Sequence, residues 1–298
     1  MTATDTTRGV DLDVAGLMRL RLLLARRGAR RPAAAPAPGA TQRRRGRGLE
    51  TFDVRPWSDG DDPRSLDRNV TARTGAPHVR AFHEERERSV VYLVDFRPSM
   101  LFGTRRAFRS VAAAEAAIAC AWRTLDMQGR AALAAIQPDG LRYLGAAASA
   151  RSFAPLLEAL AGAHRDALDS PEGEDPPLAA VLTDIDAVAG AAALTLATGL
   201  DTPGETFDAV AGRIARRRDL GVLLIADRFE LAPPPGQYPW RYPGAAGWLR
   251  IARGDPAMMA DARPGRLRSL GARVLEVDAG LELAEVAGAL ERFDGRSG

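Results

Sequence analysis

Two aspartates follow hydrophobic runs that have the character of buried parallel strands. Asp95 ends the run Ser89–Asp95, and Asp227 ends the run Leu220–Asp227. In an open α/β sheet, ligands bind outside the carboxyl ends of the strands, so the two carboxylates could face a common crevice. Alternatively, each carboxylate caps the helix or turn that follows it. The spacing alone leaves both interpretations open.

Charged side chains of both signs alternate in a turn-rich segment farther upstream. They are Arg55, Asp59, Asp61, Asp62, Arg64, Asp67, Arg68 and Arg73. Asp61 and Asp62 could be paired catalytic acids or metal ligands. Alternating arginine and aspartate also form bidentate ion pairs, which would pin the segment to a domain. We interpret the segment as a structural clamp, because no histidine or cysteine lies close enough to suggest a nucleophile with its base.

The histidines and the single cysteine lack the spacing of metal ligands. They are His78, His83, His164 and Cys120. The sequence also contains neither a G-x-S-x-G nucleophile elbow nor a G-K-[ST] phosphate loop. The search for a catalytic constellation therefore favours binding over turnover.

A proline-rich stretch at residues 232–248 concentrates aromatic side chains. It holds Tyr238, Trp240, Tyr242 and Trp248, half of all tyrosine and tryptophan in the chain. Since it follows the run that ends in Asp227, we expect it to overhang the same crevice. We predict that Tyr238, Trp240 and Tyr242 contact a partner, and that Trp240 and Tyr242 are at least partly exposed. The alternative is a loop that packs its aromatic residues back onto the domain.

Strand-like and helix-like segments alternate through the rest of the chain. The predicted strands are Ser89–Asp95, Ala131–Gln137, Leu141–Leu144, Leu220–Asp227 and Arg273–Val277, and the predicted helices are Arg105–Met127, Ser152–Ala163, Leu178–Thr198, Thr206–Arg218 and Leu281–Phe293. This alternation predicts an α/β fold, a mainly parallel sheet with helices on both faces. We expect the first, fourth and fifth of these strands to be parallel neighbours, with Asp95 and Asp227 at one edge.

The first 48 residues differ in composition from the remainder. They carry eleven arginines and three aspartates, a net charge of +8, whereas residues 49–298 carry a net charge of −5. Leucines at helical spacing predict a short amphipathic helix near Val14–Leu24, and the Pro, Ala, Gly and Arg residues after it predict a flexible linker. The sequence thus predicts a basic arm (1–48), a turn-rich segment packed on the main domain (49–88) and the main domain (89–298).

The basic arm could bind nucleic acid, and the composition bears on where the protein is located. No aromatic residue is interleaved with the arm's arginines to stack on bases, so we interpret the arm as a solvated linker and nucleic-acid binding as the alternative. Arg19 and Arg21 interrupt the apolar stretch Leu17–Leu24, which disfavours a signal peptide. With one cysteine and no long apolar run, we expect a cytoplasmic protein without a membrane span.

The charged segment and the first strand end resemble two motifs of one family. The segment is similar to the signature R-x-[YW]-x-x-G-D-D-x-R-x-[IL]-D of the bacterial domain of unknown function 58 family, through Arg55, Trp57, Gly60, Asp61, Asp62, Arg64, Asp67 and Arg73. The run that begins Asp95-Phe96-Arg97-Pro98-Ser99 resembles the D-x-S-x-S metal-ion-dependent adhesion site of von Willebrand factor A domains. The resemblance covers Gly48 to about Asp227 and implies a von Willebrand A-like, Rossmann-type fold.

The resemblance also implies a metal site, from which this sequence departs. Asp95, Ser99 and Asp227 would remain as Mg²⁺ ligands, but Arg97 stands where the family has the first serine. Pro176 or Pro177 stands where a threonine ligand is expected, and Arg68 replaces a signature tryptophan. A guanidinium puts a fixed positive charge where the ion would sit. We therefore predict that Arg97 substitutes for the metal, pairs with Asp95, Asp227 or both, and leaves the chain without a cofactor.

The functional expectation follows from the same resemblance. Such proteins are usually encoded beside MoxR-type AAA+ ATPases, which implies a protein-binding adaptor that works with such an ATPase. The sequence itself supports binding rather than catalysis. Two alternatives stay open: a metal-dependent hydrolase that uses Asp61, Asp62, Asp95 and Asp227, and nucleic-acid attachment through the arm.

Overall fold

A computed structural model describes most of the chain. The described residues are 9–30, 53–58, 61–81, 88–171, 173–242, 245–252 and 261–294. They fall into two compact units, one within residues 1–31 and 88–298 and the other within residues 32–87.

The described helices and strands are numbered in chain order. The helices are α1 (Val14–Arg30), α2 (Arg68–Thr74), α3 (Arg109–Asp126), α4 (Ala150–Asp169), α5 (Leu178–Val188), α6 (Phe207–Arg217), α7 (Arg228–Leu231), α8 (Arg263–Ser269) and α9 (Leu283–Asp294). The strands are β1 (Asp53–Pro56), β2 (His78–Ala81), β3 (Ser89–Asp95), β4 (Arg130–Gln137), β5 (Gly140–Ala147), β6 (Ala193–Thr198), β7 (Leu220–Ala226), β8 (Gly236–Tyr242), β9 (Ala245–Ile251) and β10 (Arg273–Asp278).

A mainly parallel sheet forms the centre of the larger unit. Among the described residues its strand order is β10-β7-β6-β3-β4-β5, and only β5 is antiparallel to its neighbour. Successive residues of β3 alternate between two cores: Tyr92 faces the core built with α1, α3, α4 and α9, and Leu93 faces the core built with α5, α6 and α8. This arrangement confirms the predicted α/β class, a mainly parallel sheet with helices on both faces.

The strand β6 corrects the predicted neighbours. The helix predicted over Leu178–Thr198 is α5 followed by β6, because Gly190 adopts a left-handed φ of 58° that ends the helical run. β6 then lies between β3 and β7. The prediction that β3 and β7 are direct neighbours is therefore wrong, although both are parallel strands of one sheet and end at the same edge.

The helix α1 packs on the larger unit. Leu17, Leu20 and Leu24 are buried in the core that contains α3. The indole nitrogen of Trp122 on α3 donates a hydrogen bond to the Leu17 carbonyl (3.0 Å). Arg21 forms an ion pair with Asp126 at the end of α3 (2.7 Å). The helix predicted within the arm is thus an integral element, and the boundary of the larger unit differs from the one predicted at residue 48.

The smaller unit contains the charged signature segment. β1 and β2 form a two-stranded antiparallel sheet. A short 3-10 turn (Pro63–Ser65) and α2 lie between the two strands in sequence. The Asp67 carboxylate accepts hydrogen bonds from the first turn of α2, which fixes where the helix begins. Among the described residues of both units, no helix is long and apolar enough to cross a membrane.

Candidate functional site

Arg97 and Asp95 form a buried ion pair at the carboxyl edge of the larger sheet. Both side chains are fully buried. The guanidinium donates from Nε to Asp95 Oδ1 (2.9 Å) and from Nη2 to Asp95 Oδ2 (2.8 Å), so the pair is bidentate. The Thr198 hydroxyl, at the end of β6, donates to the same Oδ2 atom (2.6 Å). Both oxygens of Asp95 are therefore engaged by the chain itself.

The same guanidinium reaches two further segments. Nη1 donates to the Pro176 carbonyl (2.7 Å), just before α5, and Nη2 donates to the Asp201 carbonyl (2.9 Å), just after β6. Asp175 lies 3.8 Å from Nη1. Burial by itself lowers the pKa of Arg97, but the charge and hydrogen bonds of Asp95, with the charges of Asp175 and Asp201, raise it overall. Arg97 stays charged.

Asp227 lies at the same edge but has a different role. Its carboxylate accepts hydrogen bonds from the backbone N–H of Phe229 (2.8 Å) and from the backbone and hydroxyl of Thr104. Together with Glu230 it forms a capping box at the start of α7. The described contacts of Arg97 include Asp95 and not Asp227. Asp227 therefore caps the helix that follows it, whereas Asp95 pairs with the Arg97 guanidinium.

Ser99 and Asp175 bring buried oxygen atoms that lack described hydrogen-bond partners to this edge. The Ser99 backbone N–H donates to Asp175 Oδ1 (3.1 Å). Among the described residues, neither Ser99 Oγ nor Asp175 Oδ2 has a hydrogen-bond partner, although both atoms are buried. Asp175 directly precedes Pro176 and Pro177, the residues aligned with the expected threonine ligand. Sequence reasoning missed Asp175, although an acid beside those prolines was the signal.

A second buried arginine, Arg109, links the turns beside Arg97. Its guanidinium donates to the Ser99 carbonyl, to Asp201 Oδ2 (2.8 Å) and to Glu230 Oε1 (2.7 Å). Arg109 was not predicted as a site residue, because it begins α3, far from the strand ends in sequence. Asp201 was not predicted either, because the sequence pattern of the strand that places it there resembles a helix. Two buried arginines thus tie together the turns that follow β3, β6 and β7.

Among the described residues of the signature segment, Arg55 and Asp61 form an ion pair of the predicted kind. Both terminal nitrogens of Arg55 donate hydrogen bonds to the Asp61 carboxylate. The hydrogen bonds from Arg55 and from the Ser58 backbone lower the pKa of Asp61. Asp62 caps the 3-10 turn and Trp57 is half-buried. The described side chains of Arg64, Arg68 and Arg73 are exposed, and no ion pair is described for them, whereas Gly60 and Asp59 lie outside the described residues.

The aromatic stretch is a β-hairpin rather than a loop. β8 pairs with β9 so that Trp240 lies opposite Gly247 and Pro239 opposite Trp248. The hairpin is anchored at its base, where Ile251 is buried and the Tyr238 ring meets Phe229 edge-on at 4.7 Å. Farther along, Trp240 is 45% and Trp248 71% exposed. The predicted exposure of Trp240 is confirmed, and the side chain of Tyr242 lies outside the described residues.

The donor set at Asp95 does not fit a divalent ion beside Arg97. Mg²⁺ needs hard oxygen ligands in near-octahedral order, and both oxygens of Asp95 already accept hydrogen bonds from Arg97 and Thr198. Within the described ranges, no three or more His, Cys, Asp or Glu side chains are grouped as metal ligands. Cys120 and His164 are both buried in the core of the larger unit.

Comparison with known proteins identifies relatives of part of the chain. Uncharacterized proteins Rv1480 and MT1527 of Mycobacterium tuberculosis, and Mb1516 of Mycobacterium bovis, are each 35% identical over 101 residues. That stretch is 34% of this chain and 28% of each relative, so the chain matches less than a third of their length.

Two solved structures align with this chain at low sequence identity. The conserved hypothetical protein BatB from Bacteroides thetaiotaomicron aligns with a TM-score of 0.43 and 12% identity, over 70% of this chain and 99% of its own. The SpRpn10 VWA domain aligns with a TM-score of 0.42 and 8% identity, over 69% of this chain and 96% of its own.

The family assignment rests on the sequence match. Residues 53–262 match the family described as protein of unknown function DUF58. The match includes the signature segment, the Asp95 turn and the aromatic hairpin, and it covers well over half of the 298 residues. The chain therefore belongs to the DUF58 family.

Proposed function

We propose that this chain is a non-catalytic, protein-binding adaptor whose contact surface is the β8–β9 hairpin. The observation that carries the proposal is the exposure of Trp240 and Trp248 on that hairpin. Large exposed aromatic side chains are typical of protein-binding hot spots, because they bury much apolar area at low cost in side-chain entropy.

The geometry of the hairpin supports this role. Alternation along the two strands places Trp248 and Pro239 on one face, and Trp240 and Leu249 on the other. Both faces are exposed away from the anchored base. A Cβ atom at Gly247 would lie 2.9 Å from the Trp240 indole, so the glycine allows the ring to lie flat across the strand. The hairpin therefore presents preformed aromatic surface.

The charge of the hairpin indicates the kind of surface that it would contact. Residues 232–254 include three arginines and no acidic residue. Arg250, on the same face as Trp248, is exposed, and no ion pair is described for it. A partner with acidic side chains around an apolar pocket would complement this pattern. The resemblance to MoxR-associated proteins suggests an AAA+ ATPase of the MoxR type as the partner.

The carboxylates that could have formed a catalytic site support a binding role. Asp61 pairs with Arg55 and Asp62 caps a 3-10 turn in the smaller unit. Asp95 pairs with Arg97 and Asp227 caps α7 in the larger unit. Each carboxylate is engaged by its own neighbours, whereas a general acid or base has to reach a substrate.

The experiment is capture of the partner from a native lysate by the immobilised full chain, with and without ATP, scored for an AAA+ ATPase. Trp240→Ala and Trp248→Ala should each weaken binding of the captured partner by about 2 kcal/mol, or roughly 30-fold in Kd. Tyr143→Ala is the matched control, because Tyr143 is also exposed (53%) but lies on β5. Unchanged binding in the double tryptophan variant would refute the hairpin as the contact surface.

A further inference from the structure

We infer that Arg97 is a permanent internal cation that closes the carboxyl edge of the sheet, and that removing it uncovers a latent divalent-cation site. The inference goes beyond the proposed function and does not depend on it, because none of the described contacts of Arg97 involves a hairpin residue. It is carried by the convergence of oxygen atoms on one buried guanidinium.

Arg97 joins three segments of the chain. Its side chain donates to Asp95, to the Pro176 carbonyl and to the Asp201 carbonyl. These acceptors end β3, precede α5 and follow β6, so one side chain crosslinks three segments at the edge where α/β sheets bind ligands. A metal ion with several oxygen ligands would perform the same crosslinking.

Without the guanidinium, the negative charges of Asp95 and Asp175 would remain in the site. Asp95 and Asp175 both approach Arg97, at 2.8 Å and 3.8 Å, and their side chains are almost completely buried. Two carboxylates that share a site of low solvation repel each other, so the site requires a cation. An arginine side chain cannot lose its proton in a protein, so it supplies that cation at every physiological pH and without any dependence on ion supply.

Two oxygen atoms near Arg97 already lack described hydrogen-bond partners. Within the described part of the chain, Ser99 Oγ and Asp175 Oδ2 are buried without a hydrogen-bond acceptor or donor. The Thr198 hydroxyl lies within hydrogen-bond distance of Asp95 (2.6 Å). Replacing Arg97 by a small hydroxyl residue would therefore leave a buried pocket lined by two carboxylates and by hydroxyl groups. Hard oxygen donors of this kind suit Mg²⁺ or Mn²⁺.

The test compares the wild-type chain with Arg97→Ser, by calorimetry with Mn²⁺ and Mg²⁺ and by thermal unfolding. We expect no stoichiometric binding to the wild type at millimolar ion, and no change of Tm with ion or chelator. Arg97→Ser should lower Tm by roughly 10 °C without ion. Millimolar Mn²⁺ should bind this variant stoichiometrically and restore part of the loss, and adding Asp175→Asn should abolish the restoration.

Arg263→Ser is the matched control. Arg263 also donates to a turn carbonyl at this edge, that of Gly199 (2.7 Å), but it pairs with Asp261 beside it in sequence. Its replacement should lower Tm less and should create no response to Mn²⁺. Stoichiometric metal binding to the wild type would overturn the inference, and so would an Arg97→Ser variant that folds with an unchanged Tm or that ignores the ion.

A second variant keeps the test decisive if Arg97→Ser does not fold. Arg97→Lys retains a cation but loses the planar pair of bonds to Asp95. We expect it to fold, with a Tm below that of the wild type and with no response to Mn²⁺. If Arg97→Lys is as stable as the wild type, the crosslinking by the guanidinium is refuted. Neither measurement involves the hairpin, so failure here leaves the proposed function intact.

Discussion

Asp95 and Asp227 show how residues of one type at one sheet edge acquire different roles from their neighbours. Asp95 holds a buried guanidinium, whereas Asp227 accepts hydrogen bonds from backbone and hydroxyl groups. We expect Asp95→Ala to reduce the free energy of unfolding by about 3–5 kcal/mol, because it leaves Arg97 buried without its carboxylate. Asp227→Ala should cost about 1–2 kcal/mol, the usual loss of a cap. Urea unfolding at pH 7 measures both, and equal losses would contradict this division of roles.

His164 supplies a pH-dependent contribution to stability. It is fully buried, its Nε2 and the Ser110 Oγ are joined by a hydrogen bond (2.9 Å), and its ring meets Phe96 edge-on. Burial lowers the pKa of His164 from 6.5 to about 4. Between these two values the unfolded chain binds the proton and the folded chain does not, so stability is complete above pH 6.5 and falls as the pH is lowered towards 4.

We therefore predict that acidification weakens the wild-type chain through this residue. The loss attributable to His164 between pH 7 and pH 4 is on the order of 3 kcal/mol. His164→Asn, which cannot titrate, should be less stable at pH 7 but should show a flatter dependence of unfolding free energy on pH. His78→Asn, in the smaller unit, is the control substitution. If the pH profile keeps its slope in His164→Asn, another group carries the dependence.

At the scale of elements, α1 separates its leucines into buried and exposed sets. Leu20 is 7% exposed and packs in the core with α3, whereas Leu22, two residues later, is 61% exposed. Leu20→Ala should lower the free energy of unfolding by about 2–4 kcal/mol through lost burial and the cavity that remains. Leu22→Ala should change it by less than about 0.5 kcal/mol. Chemical denaturation distinguishes the two, and equal effects would mean that α1 does not pack as described.

The elements that sequence patterns predict well include the strands that are short, continuous apolar runs. β3 and β7 are continuous apolar runs, and their positions agree with prediction to within a residue. β6 consists of six Ala, Leu and Thr residues that continue the Ala-rich helical pattern of α5. The boundary between α5 and β6 is marked by Gly190, which has a positive φ. The hairpin escaped prediction because Pro239 and its glycines are unfavourable in strands, and pairing with the other strand overrides that preference.

Within the candidate site, only the contact between residues close together in sequence could be predicted. The pairing of Arg97 with Asp95 joins residues two positions apart, and the chemistry of the two side chains suggested it. Asp175, Asp201 and Arg109 come to the same edge through three different connections of the fold. Their roles depend on the strand order, which a single sequence does not specify once one strand is taken for a helix.

At the scale of the whole molecule, charge is distributed unevenly along the chain. Residues 1–48 have a net charge of +8 and residues 49–298 a net charge of −5. An acidic body disfavours close approach of nucleic acid, whose affinity for proteins depends mainly on phosphate contacts. The positive stretch at residues 232–254 is short and carries aromatic side chains, which fits a local protein contact better than a long polyanion.

The arginines after α1 provide the test that separates a protein-binding role from nucleic-acid attachment. Arg43, Arg44, Arg45 and Arg47 follow the packed helix in sequence, so replacing all four with serine leaves α1 intact and changes the net charge from +3 to −1. We expect this variant to capture the AAA+ partner as tightly as the wild type, because the proposed contact lies on the hairpin. We also expect the wild type to bind a single-stranded oligonucleotide no more tightly than the roughly 1–100 μM of non-specific association at 150 mM salt. Fluorescence anisotropy over a salt series measures this. Submicromolar binding that falls steeply with salt, and that the four substitutions abolish, would assign the arm to nucleic acid and contradict the expectation.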